Sequence, residues 1–566
     1  MASFRFSGTL TGIAVALAVV SAIPAVAATA GQQHGRQSDR SRITSVTVSS
    51  TQPVGTFHGA AYVRLVGTVT GVVDPHERIV GLADLPKDSA GAYDYSAQFE
   101  LITAAHGQPR SDGILVEAEN RGNPFLLDSL QNFAGLLSGA PNVIQYPAGL
   151  GNGFLQDDGL SWARVQWQGP NGTNPPVNAT VPANAQGVGE VILRDFGLLL
   201  RGADGHVGAA AGLPSFDKLL LGSDSQSAWF TDAFIAEGFN ANPSSGPKRV
   251  FDGAYTQDGD GNWLGINQIN QARGFTTQTS YVEQNGLPLT PAQLLHSPST
   301  DPFLVDVTAY TDFYRVRASV FNTARTPGNL REYNIPAAHV PSIAVPAGIT
   351  VNQLGCAING TPIPALNPVD SRPFARDAIM GLARQVGVRG LRGFAPALPP
   401  STRFVLRNGP AAPDLDRGDP ALPLFNFLPG VGLRVPVVDA DNQPLGGVTF
   451  PDVRLSLGAP GPVAVPPVAT RSIADTCGNF GGWQPFTAAR LTTRYGSADR
   501  YVAAYNRLLT PLIARGYVLP ADRAGILAYV RGVYDSAPQR LVSSAGDGPH
   551  SLAKRPILGR SQPSTP

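Results

Sequence analysis

Polar and apolar residues alternate along three stretches of the N-terminal region, which is the pattern of half-buried β-strands. These stretches cover residues 43–48, 61–69 and 95–102. Further strands are predicted from residue 113 onward. The run at 218–221 is almost entirely apolar, as in a parallel strand that is buried on both faces. The other predicted strands cover residues 114–118, 162–167, 303–308 and 331–335.

Helical spacing replaces the alternation directly after residue 225. Trp229, Phe230, Ala233 and Phe234 indicate a helix that ends at Gly238, a residue suited to a helix C-terminus. Strands that alternate with helices predict an α/β fold, with a mainly parallel central sheet flanked by helices. The strands before residue 113 form an N-terminal β extension of that fold.

The chain divides by composition into a core and flanking segments. A basic residue, a short apolar stretch and an A-x-A site over residues 1–30 are typical of a cleaved signal peptide, which predicts a secreted or periplasmic protein. A Pro/Gly-rich region predicts a lid or covering segment, and apolar residues at helical spacing near the C-terminus predict helices. The predicted parts are a signal peptide (1–30), a disordered linker (31–42), an N-terminal β-rich part (43–112), an α/β core (113–390), the covering segment (391–480), C-terminal helices (481–542) and a disordered tail (543–566).

Composition excludes several classes of partner. The chain has 566 residues, 43% of them hydrophobic, and a formal net charge of +1, so neither nucleic acid nor an anionic membrane is an expected partner. No later segment is predicted to cross a membrane. The chain has no phosphate loop, dinucleotide fingerprint or zinc motif, so neither a cofactor nor a metal is expected. The oligomeric state stays open.

The chain contains two cysteines, Cys356 and Cys477. In an oxidising compartment, an even pair in a large chain most simply forms one disulfide. Zinc sites need three or four ligands, so these two residues alone do not indicate a metal. The sequence therefore predicts a Cys356–Cys477 disulfide.

The junction between the apolar strand and the following helix carries the candidate nucleophile. A serine on a strained strand-to-helix turn needs small residues two positions before it and two positions after it. Ser225 has Ser223 and Ser227 at these positions. A central Ser223 would bring the bulky Leu221 into the turn, and a central Ser227 would bring in Trp229. The alternative is that Ser225 only caps the helix.

A nucleophilic serine requires a base, and the base requires an orienting acid. On folds with this type of turn, the chain order is serine, then acid, then histidine. His339 follows the strand at 331–335 through a short loop, and Asp312 follows the strand at 303–308. The sequence therefore predicts a triad of Ser225, Asp312 and His339.

The other candidates for the base and for the acid lie at less suitable positions along the chain. His296 precedes the strand that should carry the acid, and His550 lies in the predicted tail. Asp306 is the rival acid, but in the middle of a strand its side chain would point sideways into the sheet. Asp312 could also cap a helix.

Two segments are candidates for the oxyanion hole. The turn at Ser225 would direct the backbone N–H of Gln226 at an oxyanion. The second donor should come from the loop after an early central strand, where the sequence has Asn-Arg-Gly-Asn at residues 120–123. The donor there is the N–H of Arg121 or of Gly122, and glycine permits a close approach of the backbone to a substrate.

One further motif, Asp-Gly-Asp-Gly-Asn at residues 258–262, resembles the start of a calcium-binding loop. The twelfth position of such a loop requires a carboxylate, and here it is Ile269. We therefore interpret the segment as a turn.

At these residues the chain resembles a bacterial family usually labelled "alpha/beta hydrolase domain-containing protein". The resemblance spans roughly residues 50–540, and it implies the α/β-hydrolase fold and a hydrolase activity without a substrate. Three positions depart from the usual pattern: Ala228-Trp229 replaces Gly-Arg, Asp312 replaces Glu, and Pro336-Ala337 replaces a glycine. The landmarks are 120–123, 151–155, 165–169, 225–227, 250–253, 312–314, 338–339, 438–441 and 517–522.

These observations lead to three hypotheses about function. The first is a secreted carboxylic-ester hydrolase that acts on a small-molecule ester through an acyl-enzyme. The second is a non-catalytic extracellular binding protein on a hydrolase scaffold, which the missing elbow glycines favour. The third keeps the triad but transfers the acyl group to an alcohol or cleaves an amide, because one type of site performs all these reactions.

Overall fold

A computed structural model describes most of the chain. The described residues are 26–29, 40–79, 81–82, 87, 91, 93–131, 150–169, 187–243, 247–264, 288–339, 357–358, 361–362, 365–408, 434–461 and 481–543. Most of the predicted signal peptide and linker, Cys356, Cys477 and His550 lie outside these residues. The predicted disulfide therefore stays a prediction.

Ten strands form one large mixed sheet. Their spatial order is β1-β2-β3-β4-β6-β5-β7-β8-β9-β10. The six strands from β6 to β10 are parallel to their neighbours, and β4 joins them by antiparallel pairing with β6. The bounds are β1 (Val26–Thr29), β2 (Arg42–Phe57), β3 (Ala60–Val73), β4 (Tyr93–Ala104), β5 (Gly113–Glu117), β6 (Ser161–Val165), β7 (Lys218–Asp224), β8 (Gly253–Gln257), β9 (Phe303–Ala309) and β10 (Leu330–Ile335).

The helices range from single turns to six-turn elements. Their bounds are α1 (Phe125–Leu130), α2 (Phe154–Asp157), α3 (Val188–Leu200), α4 (Val207–Ala210), α5 (Gln226–Ala236), α6 (Pro291–Leu294), α7 (Asp312–Arg315), α8 (Ser319–Asn322), α9 (Arg372–Gln385), α10 (Pro451–Arg454), α11 (Ala488–Tyr495), α12 (Ala498–Ala514) and α13 (Arg523–Ser543). Smaller sheets are formed by β11 (Ala357–Ile358) with β12 (Thr361–Pro362), by β13 (Ala365–Leu366), β17 (Gly482–Pro485) and β16 (Gly458–Gly461), and by β14 (Leu406–Asn408) with β15 (Arg434–Pro436).

The central strands bury both of their faces. In β7, Leu219 and Leu221 belong to the core on one side of the sheet, and Leu220 belongs to the core on the other. Side chains alternate between the faces of a strand, so an all-apolar run is required where helices cover both sides. Helices α3 and α5 pack on the first face, and α1 and α9 pack on the second.

The C-terminal helices form a third, smaller core. Trp483, Tyr501 and Tyr505 are buried there against Val530 and Val533. The buried ion pair between Arg376 Nη2 and Asp522 Oδ1, 2.7 Å apart, connects this layer to α9 of the main core. In the described part of the chain, no helix is both long enough and apolar enough to cross a membrane.

The predicted fold class is confirmed, with differences in detail. All eight predicted strands are present, and the N-terminal antiparallel strands continue the parallel sheet through the β4–β6 pair. The features that were not predicted include strand β8, in which small and polar residues interrupt the apolar pattern, and helices α3 and α9. The last C-terminal helix, α13, ends at Ser543.

Candidate active site

Ser225 lies on a sharp turn between β7 and α5. Its backbone angles are φ 58° and ψ −125°, a conformation that is strained for a residue with a Cβ. The N–H of Ser225 donates to Gln257 O at 3.0 Å, which ties the turn to the end of β8. The Ser225 side chain makes no capping hydrogen bond to the helix, so the cap alternative does not describe this turn.

A continuous hydrogen-bonded relay connects three predicted residues. Ser225 Oγ lies 2.7 Å from His339 Nε2, and His339 Nδ1 lies 2.9 Å from Asp312 Oδ1. His339 and Asp312 are buried, whereas Ser225 is only half-buried. The relay therefore runs from an accessible hydroxyl to an enclosed carboxyl group. Asp312 begins α7 just after β9, and His339 follows β10.

The rival residues have other roles in the structure. The Ser223 hydroxyl donates to Tyr255 O at 3.2 Å, and the Ser227 hydroxyl donates to Asp224 O at 2.8 Å, so both stabilise the turn. Asp306 accepts a hydrogen bond from the Thr256 hydroxyl at 2.8 Å within the sheet. His296 is exposed, and its Nδ1 lies 2.9 Å from Gln293 O.

The predicted oxyanion residues lie on two adjacent segments. Gln226 is the first residue of α5, where a backbone N–H has no acceptor within the helix. Residues 120–123 form a tight loop, in which the backbone groups of Asn120 and Asn123 bond to each other at 2.8 and 3.0 Å. The Asn120 side chain donates to Asp224 O at 3.1 Å, which fixes this loop beside the turn.

The tip of that loop consists of Arg121 and Gly122. Both have positive φ angles, 52° and 86°. Gly122 adopts such a conformation without strain, and Arg121 adopts it because the Asn120–Asn123 bonds close the loop around it. The structure thus places both candidate donors at the tip without distinguishing between them.

A buried network that the sequence did not indicate supports the loop from below. Arg164 on β6 donates through Nη1 to Gly122 O at 3.0 Å and to Glu119 Oε2 at 2.7 Å. The indole N–H of Trp167 and the side-chain amide of Gln168 both donate to Glu119 O, at 2.8 and 3.1 Å. Burial raises the pKa of Glu119 to about 7, although Arg164 opposes the shift.

Trp229, one of the departures from the usual family pattern, packs between α5 and the site. Its indole N–H donates to Asp258 O at 3.0 Å, and its ring centroid lies 6.5 Å from that of His339. The tryptophan therefore packs behind the imidazole and connects the nucleophile helix to the loop after β8.

Four buried aspartates, the acid cluster, surround the ends of β8 and β9. In the described part of the chain, no lysine or arginine forms an ion pair with any of them, and burial raises the pKa of each. Asp306 is the least affected, with a pKa of about 6, because Thr256 and the N–H of Asp260 donate to it. The cluster consists of Asp232, Asp258, Asp260 and Asp306.

The segment at 258–262 is a turn, as the sequence predicts. Asp258 and Asp260 have left-handed φ angles of 61° and 58°, and Asn262 N–H donates to Gly259 O at 2.8 Å. Gly259 lies between these residues at a close approach, where an added Cβ would come within 3.0 Å of Asp306 Oδ2.

Asp258, Asp312 and His339 form the one group of potential metal ligands found among the described residues. One ligand atom of each lies within 4.8 Å of the others. Both nitrogens of His339 already face hydrogen-bonding partners, Ser225 on one side and Asp312 on the other. A metal at Nδ1 would displace the hydrogen bond to Asp312, so the arrangement fits the relay better than a metal site.

Comparison with known proteins gives a family and distant structural similarities. A glucuronoyl esterase from Solibacter usitatus is 12% identical over 50% of this chain and 71% of its own, with a TM-score of 0.26. A rice cell wall degrading esterase, LipA from Xanthomonas oryzae, is 9% identical over 51% of this chain and 90% of its own, with a TM-score of 0.25. Nothing about this chain's substrate follows from similarities at this level. No curated protein matches the chain.

The family model described as "Alpha/beta hydrolase domain" matches residues 159–528. This range is more than half of the chain. It includes the turn at Ser225, Asp312, His339 and the C-terminal helices. The chain therefore belongs to the alpha/beta hydrolase domain family, and it is an α/β hydrolase.

Proposed function

We propose that this protein hydrolyses carboxylic esters through an acyl-enzyme formed on Ser225. The observation that carries the proposal is the unbroken relay from Ser225 Oγ to His339 Nε2 and from His339 Nδ1 to Asp312, with distances of 2.7 and 2.9 Å. Such an arrangement activates a hydroxyl that is otherwise a weak nucleophile. The strained turn is the second support, because it holds Oγ above the end of the sheet.

The residues take defined roles in the first half of the reaction. Ser225 Oγ attacks the acyl carbon while His339 Nε2 accepts the hydroxyl proton. The Nδ1–H of the resulting imidazolium donates to Asp312, which holds the ring in place. The N–H of Gln226, together with an N–H of Arg121 or Gly122, stabilises the oxyanion. His339 then returns the proton to the leaving alcohol.

The second half of the reaction reverses these roles with water. His339 accepts a proton from a water molecule, the water oxygen attacks the acyl carbon, and Ser225 leaves with the proton from His339. The predicted signal peptide would place this activity outside the cytoplasm.

The proposal is tested on the full-length mature protein with a panel of p-nitrophenyl esters of different acyl lengths and with a fluorophosphonate probe. Ser225→Ala should lower kcat by at least about 10⁴-fold and abolish labelling, because the nucleophile is lost. Ser223→Ala is the matched control, since this hydroxyl belongs to the same turn but donates to Tyr255 O. The control should retain labelling.

Two outcomes would contradict the proposal. If the folded parent protein is not labelled and turns over none of the esters, the non-catalytic binding hypothesis takes its place. If Ser225→Ala hydrolyses the esters as fast as the parent, Ser225 is not the nucleophile.

A further inference from the structure

Asp258 places a second carboxyl group beside the imidazole of His339. Asp258 Oδ2 lies 3.6 Å from His339 Nδ1, on the same nitrogen that bonds to Asp312 Oδ1 at 2.9 Å. All three side chains are buried. Asp258 directly follows β8, Asp312 follows β9, and both strands are parallel neighbours, so two consecutive strand ends each supply one acid to the same histidine.

The backbone holds Asp258 firmly in this position. Its N–H donates to Val307 O at 2.7 Å, and its carbonyl oxygen accepts the indole N–H of Trp229 at 3.0 Å. The left-handed φ of 61° turns the side chain back toward the end of β9. Three elements, β8, β9 and α5, therefore determine where the carboxyl group lies.

The two carboxyl groups share a donor. The N–H of Ala309 lies 3.2 Å from Asp258 Oδ1 and 3.2 Å from Asp312 Oδ2. Each acid thus has one oxygen near this N–H and the other near His339 Nδ1. The two side chains are near-equivalent in their position around the imidazole, although Asp312 is the closer one.

The charges around Asp258 oppose a second ionised carboxylate. The titratable groups that face it are Asp312, Asp224 and Asp260, besides His339. Burial raises the pKa of Asp258 well above its usual range, and the charges of Asp312 and Asp224 raise it further. Two carboxyl groups that share one site cannot both ionise at moderate cost, so one of them keeps its proton.

We propose that Asp258 is a second positioning residue of this site, which shares one proton with Asp312 and orients His339 together with it. The inference rests on the proposed function. The pair carries one proton and one negative charge throughout the reaction, and His339 Nδ1–H donates to the ionised member. When Asp312 loses its charge, Asp258 ionises and accepts the Nδ1–H in its place.

A double-mutant cycle tests this sharing, with kcat and KM measured on the ester that the parent hydrolyses fastest. Asp312→Asn alone should lower kcat by roughly 10–100-fold, because Asp258 takes over the imidazole. The double variant Asp258→Asn/Asp312→Asn should lower kcat by about 10⁴-fold, the loss typical of a triad without its acid. KM should change little in both variants, since neither side chain binds substrate.

The pH profile separates an electrostatic role from a structural one. In Asp312→Asn, activity should fall on the acid side as Asp258 takes up its proton, so the acid limb of kcat/KM lies at higher pH than in the parent. Asp232→Asn is the matched control, because this buried acid belongs to the same cluster but lies outside the group around His339. Its pH profile should match that of the parent. The profile of Asp312→Asn remains informative even where variants of Asp258 do not fold.

Three results would overturn the inference. One is that Asp312→Asn is already as inactive as the double variant. Another is that its acid limb does not move. A third is one equivalent of tightly bound metal in the purified protein, lost together with activity on chelation, because Asp258, Asp312 and His339 would then be metal ligands. Failure of the proposed function is distinct from all three, since it appears as an unlabelled and inactive parent.

Discussion

Two regions of this molecule contain buried acids whose partners differ. Around β4, β6 and α3, two arginines each pair with two acids: Arg164 bonds to Glu100 and Glu119, and Arg194 bonds to Glu77 and Asp195. Glu190 on α3 is the exception, because it is buried without such an ion pair among the described residues. At the ends of β8 and β9, the acid cluster has no such cation among the described residues. The first region has ion pairs that cross between strands and a helix, whereas the described partners of the acid cluster are hydroxyl, N–H and imidazole groups.

The difference indicates what each region is adapted to do. A buried charge with a well-placed counter-charge is satisfied, and removal of one partner leaves an uncompensated ion. A buried acid without a counter-charge costs stability unless it keeps its proton. The acids at the end of the sheet that carries Ser225 and His339 therefore accept a stability cost that the arginine-paired acids avoid, a pattern common at sites that must move protons.

The largest effect on stability is expected in the region around β4, β6 and α3, where arginines pair with the acids. Arg194→Leu leaves Glu77 and Asp195 buried without their cation, so the free energy of unfolding should fall by about 3–5 kcal/mol. Denaturant unfolding followed by circular dichroism measures this change. Arg531→Leu, which removes an exposed pair with Asp499, is the control and should leave the unfolding midpoint unchanged. Equal effects of the two substitutions would show that the ion pairs of Arg194 contribute no more to stability than an exposed pair.

In the acid cluster, a substitution should raise the free energy of unfolding, by less than the loss expected for Arg194→Leu. Burial raises the pKa of Asp232 well above its usual range, so this acid binds a proton on folding and the free energy of unfolding falls as pH rises above about 4. Asp232→Asn removes that dependence and should stabilise the protein by on the order of 1–2 kcal/mol at pH 8, and by less at pH 5. Thermal unfolding at both pH values checks the sign. Destabilisation at pH 8 would show that Asp232 has a compensating partner.

The smallest effect is expected for the hydrogen bond that joins Trp229 on α5 to the loop after β8. Trp229→Phe keeps a ring behind His339 but removes the N–H that donates to Asp258 O. The loss of one buried hydrogen bond should cost about 1 kcal/mol of stability and lower kcat several-fold, because the loop after β8 is less firmly held. Trp263→Phe is the control, because it removes an indole from the loop after β8 and leaves Trp229 in place. An unchanged kcat would mean that Asp258 is positioned without Trp229.

Much of the fold and of the proposed triad could be predicted from local patterns. The apolar run of β7, the small residues around Ser225 and the order of the later strands led to Ser225, Asp312 and His339, which the structure brings together. Strand β8 was missed because Gly253, Thr256 and Gln257 break the apolar pattern. Without β8 there was no strand end on which to place Asp258, and the sequence indicated only a turn. Only a search for acids that did not depend on an apolar strand pattern could have found it.

The sequence by itself determined the elements and their order, because propensity, side-chain alternation and turn sterics act between neighbours along the chain. It also determined which serine fits the turn, since that choice depends on the size of residues two positions away. Only the tertiary structure decided which acids surround His339, how Trp229 packs and how Arg164 supports the loop at residues 120–123. The relay joins residues 114 and 27 positions apart, and such contacts depend on strand order and register in the sheet. The ionisation of a buried acid depends on the same long-range arrangement, because its neighbours in space determine whether it meets a cation or a second acid.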